Sequence, residues 1–341
     1  MNDVQILEAG AGGLDALIGG SRPINVNKRT GQVRIMTKRG LTVNSLLSED
    51  EWQEVDRAVI AAARYPLRFV NMLRNRGLVH SLGGLGTLMS AYYTGSEMTA
   101  ASVNMTGRGR GEMDLPEMKQ VGVPIPVIFK EFPIGERMLL ASRRMGDGID
   151  VTAAAEASRV VAEQIESIFT NGAGVVLNGA ALYGITNHPN RNTDTAANYG
   201  GGDWGTLSNI VPTVSGMINA AQNTGKHYGP YTLLVSNTQY NQAANTYYAD
   251  GSGQTGLDRV KNLADIEDVV SMPADSLADG AGVLVQMTPE VIDAAIALDI
   301  QVREWASGDG METMFKVLAV MAPRVKARFD GKSGIVHATG L

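Results

Sequence analysis

Two prolines, Pro124 and Pro126, sit inside an otherwise strand-like run and limit what this chain can build. Val121, Val123, Ile125, Val127 and Phe129 alternate with them, and the two-residue period of a strand puts all five on one face. Proline has no N–H to give a sheet ladder, so the run cannot be a central strand. It reads as one side of an edge ribbon. After a short turn region comes a helix. Asp150 is placed to cap its first turn. Val161, Ile165, Ile168 and Phe169 recur at three- and four-residue spacing and form its core stripe. Asn171-Gly172 ends it. About 20 residues of helix span roughly 30 Å. A wet ribbon leading directly into a long amphipathic helix is an unusual order for an enzyme.

That order of elements resembles the major capsid proteins of tailed bacteriophages with the Hong Kong 97 fold, and the related encapsulin shells. Gly184-Ile185-Thr186-Asn187-His188-Pro189 resembles the segment leading away from their "spine" helix, and Phe315–Arg328 with Ser333–His337 their returning strands. The resemblance runs from about Ser48 onward. It implies an α+β fold: an N-terminal arm (1–47), P-domain helices (48–93), and an extended E-loop hairpin (94–134). The P domain with its spine helix follows (135–190), then an inserted α/β A domain (191–298) and a β-meander of return strands (299–341).

The N-terminal arm is glycine-rich and then basic. Arg22, Lys28, Arg29, Arg34, Lys38 and Arg39 follow one another with no acid between them. Apolar residues are sparse, so the arm cannot bury itself. Val33, Ile35, Leu41 and Val43 alternate and suit a strand added to a neighbour. Ser48-x-x-Glu51 is a capping box for a helix with Trp52, Val55, Val59 and Ala62 or Ala63 inward. Pro66 interrupts it, and a second helical piece over Leu67–Leu78 would expose Arg68, Arg74 and Arg76. In the ribbon's outward half, Met98, Ala100, Ser102, Asn104 and Thr106 show little apolar alternation, and Gly107–Glu112 is its tip. Strands of about 15 residues would reach some 50 Å. A lone hairpin is marginal in water, so other subunits should order it. Thr206–Thr224, Thr238–Tyr247 and Leu257–Leu263 read as helices. Tyr231–Val235, Ile266–Ser271 and Gly282–Gln286 read as strands. Ile300–Ala306, Met311–Arg328 and Ser333–His337 read as one meander packed on the long helix, with Phe315, Val317, Ala319 and Met321 facing one way.

Signals of chemistry fail one by one. Gly10–Gly20 lacks the spacing and the preceding strand of a dinucleotide loop. Gly331-Lys332-Ser333 lacks the earlier glycine of a phosphate loop, since Lys326 stands there. His80, His188, His227 and His337 fall in unrelated elements, and none pairs with another at helical spacing. No G-x-S-x-G elbow occurs. Glu163 and Glu166 read as an exposed helical face. Some members of the resembled family form isopeptide cross-links from an E-loop lysine to an asparagine near the C-terminal end. Lys119 or Lys130 would be the lysine, but no asparagine follows Asn262, leaving only Asp330 as a formal acceptor. Cysteine is absent, so disulfides and thiolate metal sites are excluded. The net charge of -6 argues against a dedicated nucleic-acid binder, though not against a shell around DNA. Met1–Leu7 shows no secretory signal, and no apolar run reaches membrane-spanning length.

The expectation is therefore a structural shell subunit with no cofactor, no catalytic residue and no metal. Many copies would close as hexamers and pentamers into an icosahedral virion capsid in the host cytoplasm, enclosing DNA without reading its sequence. Arg22, Arg29, Arg34, Arg39, Arg108, Arg110, Glu112, Lys119, Lys130 and Glu131 are the candidate inter-subunit contacts. A separate scaffolding protein is expected, because the fold begins by Ser48; portal and decoration proteins are the further partners the resemblance allows. An encapsulin-type compartment is the first rival, and an α/β ligand-binding enzyme the second.

Overall fold

The computed structural model describes residues 24–26, 33–35, 49–64, 67–106, 113–145, 151–249, 251–307 and 311–341. The chain divides into two units, Met1–Trp52 and Gln53–Leu341. In the first, β1 (Ile24–Val26) and β2 (Val33–Ile35) pair antiparallel, Ile24 opposite Ile35. The Val33–Ile35 strand thus has a partner within its own arm, where alternation had suggested a neighbour's sheet. Leu41, Val43 and the Ser48 cap lie outside the described residues.

Helix α1 (Glu49–Arg64) buries Val55, Val59 and Ala63. A shorter helix α2 (Arg68–Asn75) follows and buries Phe69, Val70 and Leu73. Its arginines, expected to be exposed, are half-buried and engaged. Arg68 donates to the Ser271 carbonyl and hydroxyl, Arg74 pairs with Asp299, and Arg76 pairs with Glu267.

Four strands form the sheet under the long helix: β3 (Val79–Ser81), β6 (Val127–Gly135), β13 (Ile292–Ala306) and β14 (Glu312–Val325), in the order β3-β13-β14-β6. β13 and β14 are a long antiparallel hairpin, β6 runs antiparallel along β14, and β3 lies parallel to β13. Helix α4 (Thr152–Asn171) packs across β14 and β6. Its stripe of Val161, Ile165, Ile168 and Phe169 is buried, as are Phe315, Val317, Ala319 and Met321 of β14. Phe132 stacks on Phe315 at 5.3 Å between ring centroids. The helix spans 20 residues and ends at Gly172, whose φ of 73° suits glycine. Its N-cap is Val151; Asp150 lies outside the described residues. A ten-residue helix, α3 (Glu136–Met145), fills the stretch read as a turn.

The shared face assigned to Val121–Phe129 does not hold. Strand β5 (Met118–Pro124) pairs with β4 (Met89–Gly95), whereas β6 starts at Val127 in another sheet. The chain changes sheets at Ile125-Pro126, so the alternation restarts. Val123, Ile125, Ile128 and Phe132 are buried, while Val127 and Phe129 are exposed. Pro124 closes β5 and Pro126 lies in the break, while β6, which carries Pro133, is an edge strand, where a missing N–H is tolerated.

A tight hairpin, β7 (Ala173–Leu177) and β8 (Ala180–Leu182), turns through Asn178-Gly179, both at positive φ. The second large sheet has the order β11-β10-β12-β15-β9. It comprises β9 (Asn192–Thr195), β10 (Tyr231–Ser236), β11 (Ile266–Met272), β12 (Ala281–Gln286) and β15 (Ile335–Thr339). Helices α5 (Ile210–Asn219), α6 (Asn237–Asn245) and α7 (Gly256–Lys261) supply its helical layer. Their core joins Ile210, Val214, Met217, Ala243 and Val260 to Leu233, Leu284, Val336 and Ala338 of the sheet. Strand β15 corrects the expected meander. It lies between β12 and β9, in the α/β module, and not against α4. Of the remaining expected return strands, β13 begins at Ile292, inside the stretch assigned to that module.

Candidate assembly interface

The β4–β5 hairpin forms a two-stranded sheet of its own, which touches β14, β7 and β8. Its ladder runs from Met89 opposite Pro124 to Gly95 opposite Met118. Seven paired residues per strand reach about 24 Å, half the expected span. Beyond Gly95 and Met118 the described backbone forms no ladder. That extension carries large apolar side chains with nothing over them: Val103 is 99% exposed, Met105 102%, Met113 96% and Leu115 87%. Burying four such side chains would contribute about 1.5–3 kcal/mol each, and this chain does not bury them.

The base of the hairpin is fixed by a buried ion cluster. Arg324 makes two 2.6 Å hydrogen bonds to the Asp293 carboxylate and a 2.9 Å bond to the Ser90 hydroxyl of β4. Lys326 donates to the same carboxylate at 2.6 Å. Burial pushes Asp293 upward, but the hydrogen bonds from Arg324 and Lys326 outweigh it and hold the carboxyl below its ordinary range. One residue along, the Tyr92 hydroxyl donates to the Val325 carbonyl at 3.3 Å.

Lys119 is exposed on β5 and borders a crevice of about 490 Å³ beside Tyr92, Tyr183, His188 and Arg328. Lys130 is exposed on β6, opposite Val317. Glu131 is engaged within its own chain, 2.6 Å from Lys316. Arg34 lies opposite Asn25 in the arm hairpin. Arg22, Arg29, Arg39, Arg108, Arg110 and Glu112 lie outside the described residues. Among the described residues, Lys119 is the expected contact that stands on the β4–β5 ladder. Asp330, the formal cross-link acceptor, accepts from the Lys332 N–H within its turn.

Glu166 departs most from expectation. It is 0% exposed. Its carboxylate accepts the Phe69 and Val70 N–H groups at 2.5 and 3.4 Å, at the start of α2. Helix α2 has no side-chain cap of its own, so the long helix supplies one across the fold. Burial raises the carboxyl to about 7, against the lowering effect of those N–H groups. A signal was present: Ala162, Ile165, Glu166 and Phe169 share one helical face. Glu163 does lie at the surface, paired with Arg159.

Two histidines read as unrelated meet around one cation. Arg191 Nε donates to His337 Nδ1 at 3.4 Å, and its Nη1 donates to the His188 carbonyl. Burial, with Arg191 adding to it, lowers both imidazoles to about 4. His188 accepts the Asn190 N–H, as a turn residue would. Among the described residues no group of three His, Asp or Glu side chains is arranged to hold a metal, and no helix is long and apolar enough to cross a membrane.

A family model described as a family of unknown function (DUF6260) matches residues 42–338. The chain belongs to this family. This DUF6260 chain is 24% identical over 280 residues to the type 1 encapsulin shell protein EncA of Myxococcus xanthus, covering 82% of the chain and 90% of EncA. Among solved structures, the virus-like particle from Pyrococcus furiosus superimposes with a TM-score of 0.60 at 16% identity, over 85% of this chain and 100% of that one. The capsid of Myoviridae phage XM1 gives 0.57 at 16% identity, over 80% and 92%. The fold is that of the Hong Kong 97-type shells, with the E-loop as β4–β5, the spine helix as α4, and two sheet modules.

Proposed function

We propose that this DUF6260 chain is the subunit of an icosahedral shell and serves as a tailed-bacteriophage major capsid protein. The observation that carries the assembly half is the hairpin. Val103, Met105, Met113 and Leu115 stand almost wholly in solvent on a segment without a ladder of its own. A second copy of the chain is the partner that covers them, because a closed lattice gives every hairpin the same neighbour. Copies would meet as pentamers and hexamers, with a separate scaffolding protein and a portal completing the particle.

The contents are double-stranded DNA on this reading. The family match starts at residue 42, so 41 residues (42 − 1) precede it. They include the run from Arg22 to Arg39 with six cations and no acid, in a chain of net charge -6. A basic arm suits a polyanion, bound through phosphates and so without sequence preference. The likeness to EncA favours a second reading, a protein compartment with an enzyme cargo.

Particles from the native source, treated with nuclease and then opened, decide between the two. A capsid releases protected DNA of uniform length. Particles holding a stoichiometric second protein and no DNA would overturn the capsid reading in favour of the compartment.

A further inference from the structure

Past the buried Ser90–Arg324 anchor and the Tyr92–Val325 bond, the hairpin packs on β7 and β8 and forms ion pairs with the body through one carboxylate. Glu97, two residues beyond the end of β4, lies 3.3 Å from Lys226 Nζ and 3.9 Å from Arg328 Nη1. The two cations come from different places. Lys226 follows the helical turn after α5 and is held at a φ of 54°, unusual for a residue with a side chain. Arg328 follows the end of β14. Two adjoining crevices run between the hairpin and the body, sharing Thr94, Arg328 and Phe329: one of about 490 Å³ beside Tyr92 and Lys119, and one of about 390 Å³ bordered by Gly95, Glu97 and Asp330. The hairpin therefore has room to move beside Glu97.

We propose that Glu97, with Lys226 and Arg328, is an electrostatic latch that sets the hairpin's angle, the Ser90–Arg324 anchor being the pivot. The two contacts differ in kind. Arg324 and Asp293 are 6% and 8% exposed, so their pairing resists salt. Glu97 is 60% exposed, Lys226 51% and Arg328 39%, so theirs is weak and screened. The latch opens while the pivot holds. A neighbouring subunit or raised ionic strength can then release the hairpin without loss of fold, and the latched angle keeps it against its own body beforehand. This is a property of the single chain and does not depend on what a shell would contain.

The chain has no cysteine, so two can be introduced cleanly. Tyr93→Cys on the hairpin ladder and Asn262→Cys after α7, both spin-labelled, report the hairpin angle as a distance distribution in dissociated full-length subunits. At low salt the latched chain gives one dominant distance. Glu97→Gln should raise the population at other distances about threefold to tenfold, as the loss of two exposed pairs allows. Raising salt should do the same to the parent and leave Glu97→Gln unchanged. Lys226→Met with Arg328→Met should reproduce Glu97→Gln, which separates the charges from any packing effect of residue 97. Identical distributions in the parent and in both variants would overturn the latch, as would a salt response that persists in Glu97→Gln.

Discussion

Glu166 and Asp293 are both carboxylates drawn into the core, and the fold treats them differently. Asp293 meets two cations and stays charged. Glu166 meets backbone N–H groups with only a small further pull from the Arg68 charge, and burial raises it to about 7. A raised carboxyl pKa means the folded state holds a proton that the unfolded state releases between its ordinary value of 4.5 and about 7. Its contribution to stability is complete below 4.5 and is lost as pH rises through about 7. Denaturant unfolding of the parent minus that of Glu166→Gln should show this slope, on the order of 3 kcal/mol between pH 4.5 and 8. His188 and His337 act in the opposite sense. Lowered to about 4, they favour the folded state above pH 6.5, and that advantage fades as pH falls toward 4. The difference between parent and Glu166→Gln cancels them. Arg324→Met leaves Asp293 with Lys326 alone and frees Ser90, and chemical denaturation should show a loss of about 3–5 kcal/mol. Phe169→Ala, at the 0%-exposed end of the spine stripe, should cost about 3–5 kcal/mol.

At the scale of elements, the proposed role of the hairpin separates folding from assembly. Among the described residues, 98–106 and 113–117 are almost all exposed, whereas Val123 and Ile125 are 7% and 5% exposed. Replacing 98–117 by a short Gly-Ser turn should leave the melting temperature within a few degrees and abolish particles by light scattering. A cut extending to Pro126 would damage the core as well. What the sequence made legible follows from local rules. The spine stripe, its Gly172 end, the helical layer of the α/β module and the edge character of the proline run all rest on periodicity and missing N–H groups. What it hid is long-range. Ile335–Thr339 has the same apolar content whichever sheet it joins, so its place between β12 and β9 depends on the whole topology. The restart of alternation at Ile125-Pro126 is a change of sheet that a single strand pattern does not carry. Glu166 was legible on the apolar face, but charge suggested solvent. Asp293 and Arg324 interrupt apolar strands directly opposite each other, a signal that needs the register of β13 on β14 to be read.

At the scale of the whole molecule, the proposed shell is expected to hold by contact. The chain has no cysteine, and no asparagine after Asn262 to receive a lysine. Stable obligate interfaces bury more than about 2,000 Å² in total, and the hairpin with its exposed apolar extension is the part of the described structure best placed to supply such area. Denatured particles should run as a single band near 36.2 kDa; a ladder of multimers would reveal a covalent bond between subunits. The most direct test of the central claim is cryo-electron microscopy of the purified full-length chain under assembly conditions. Closed icosahedral shells or capsomers, with density for residues 98–117 lying across a neighbouring subunit, are the predicted result. A population of compact monomers, or an assembly whose interfaces leave that segment in solvent, would contradict it.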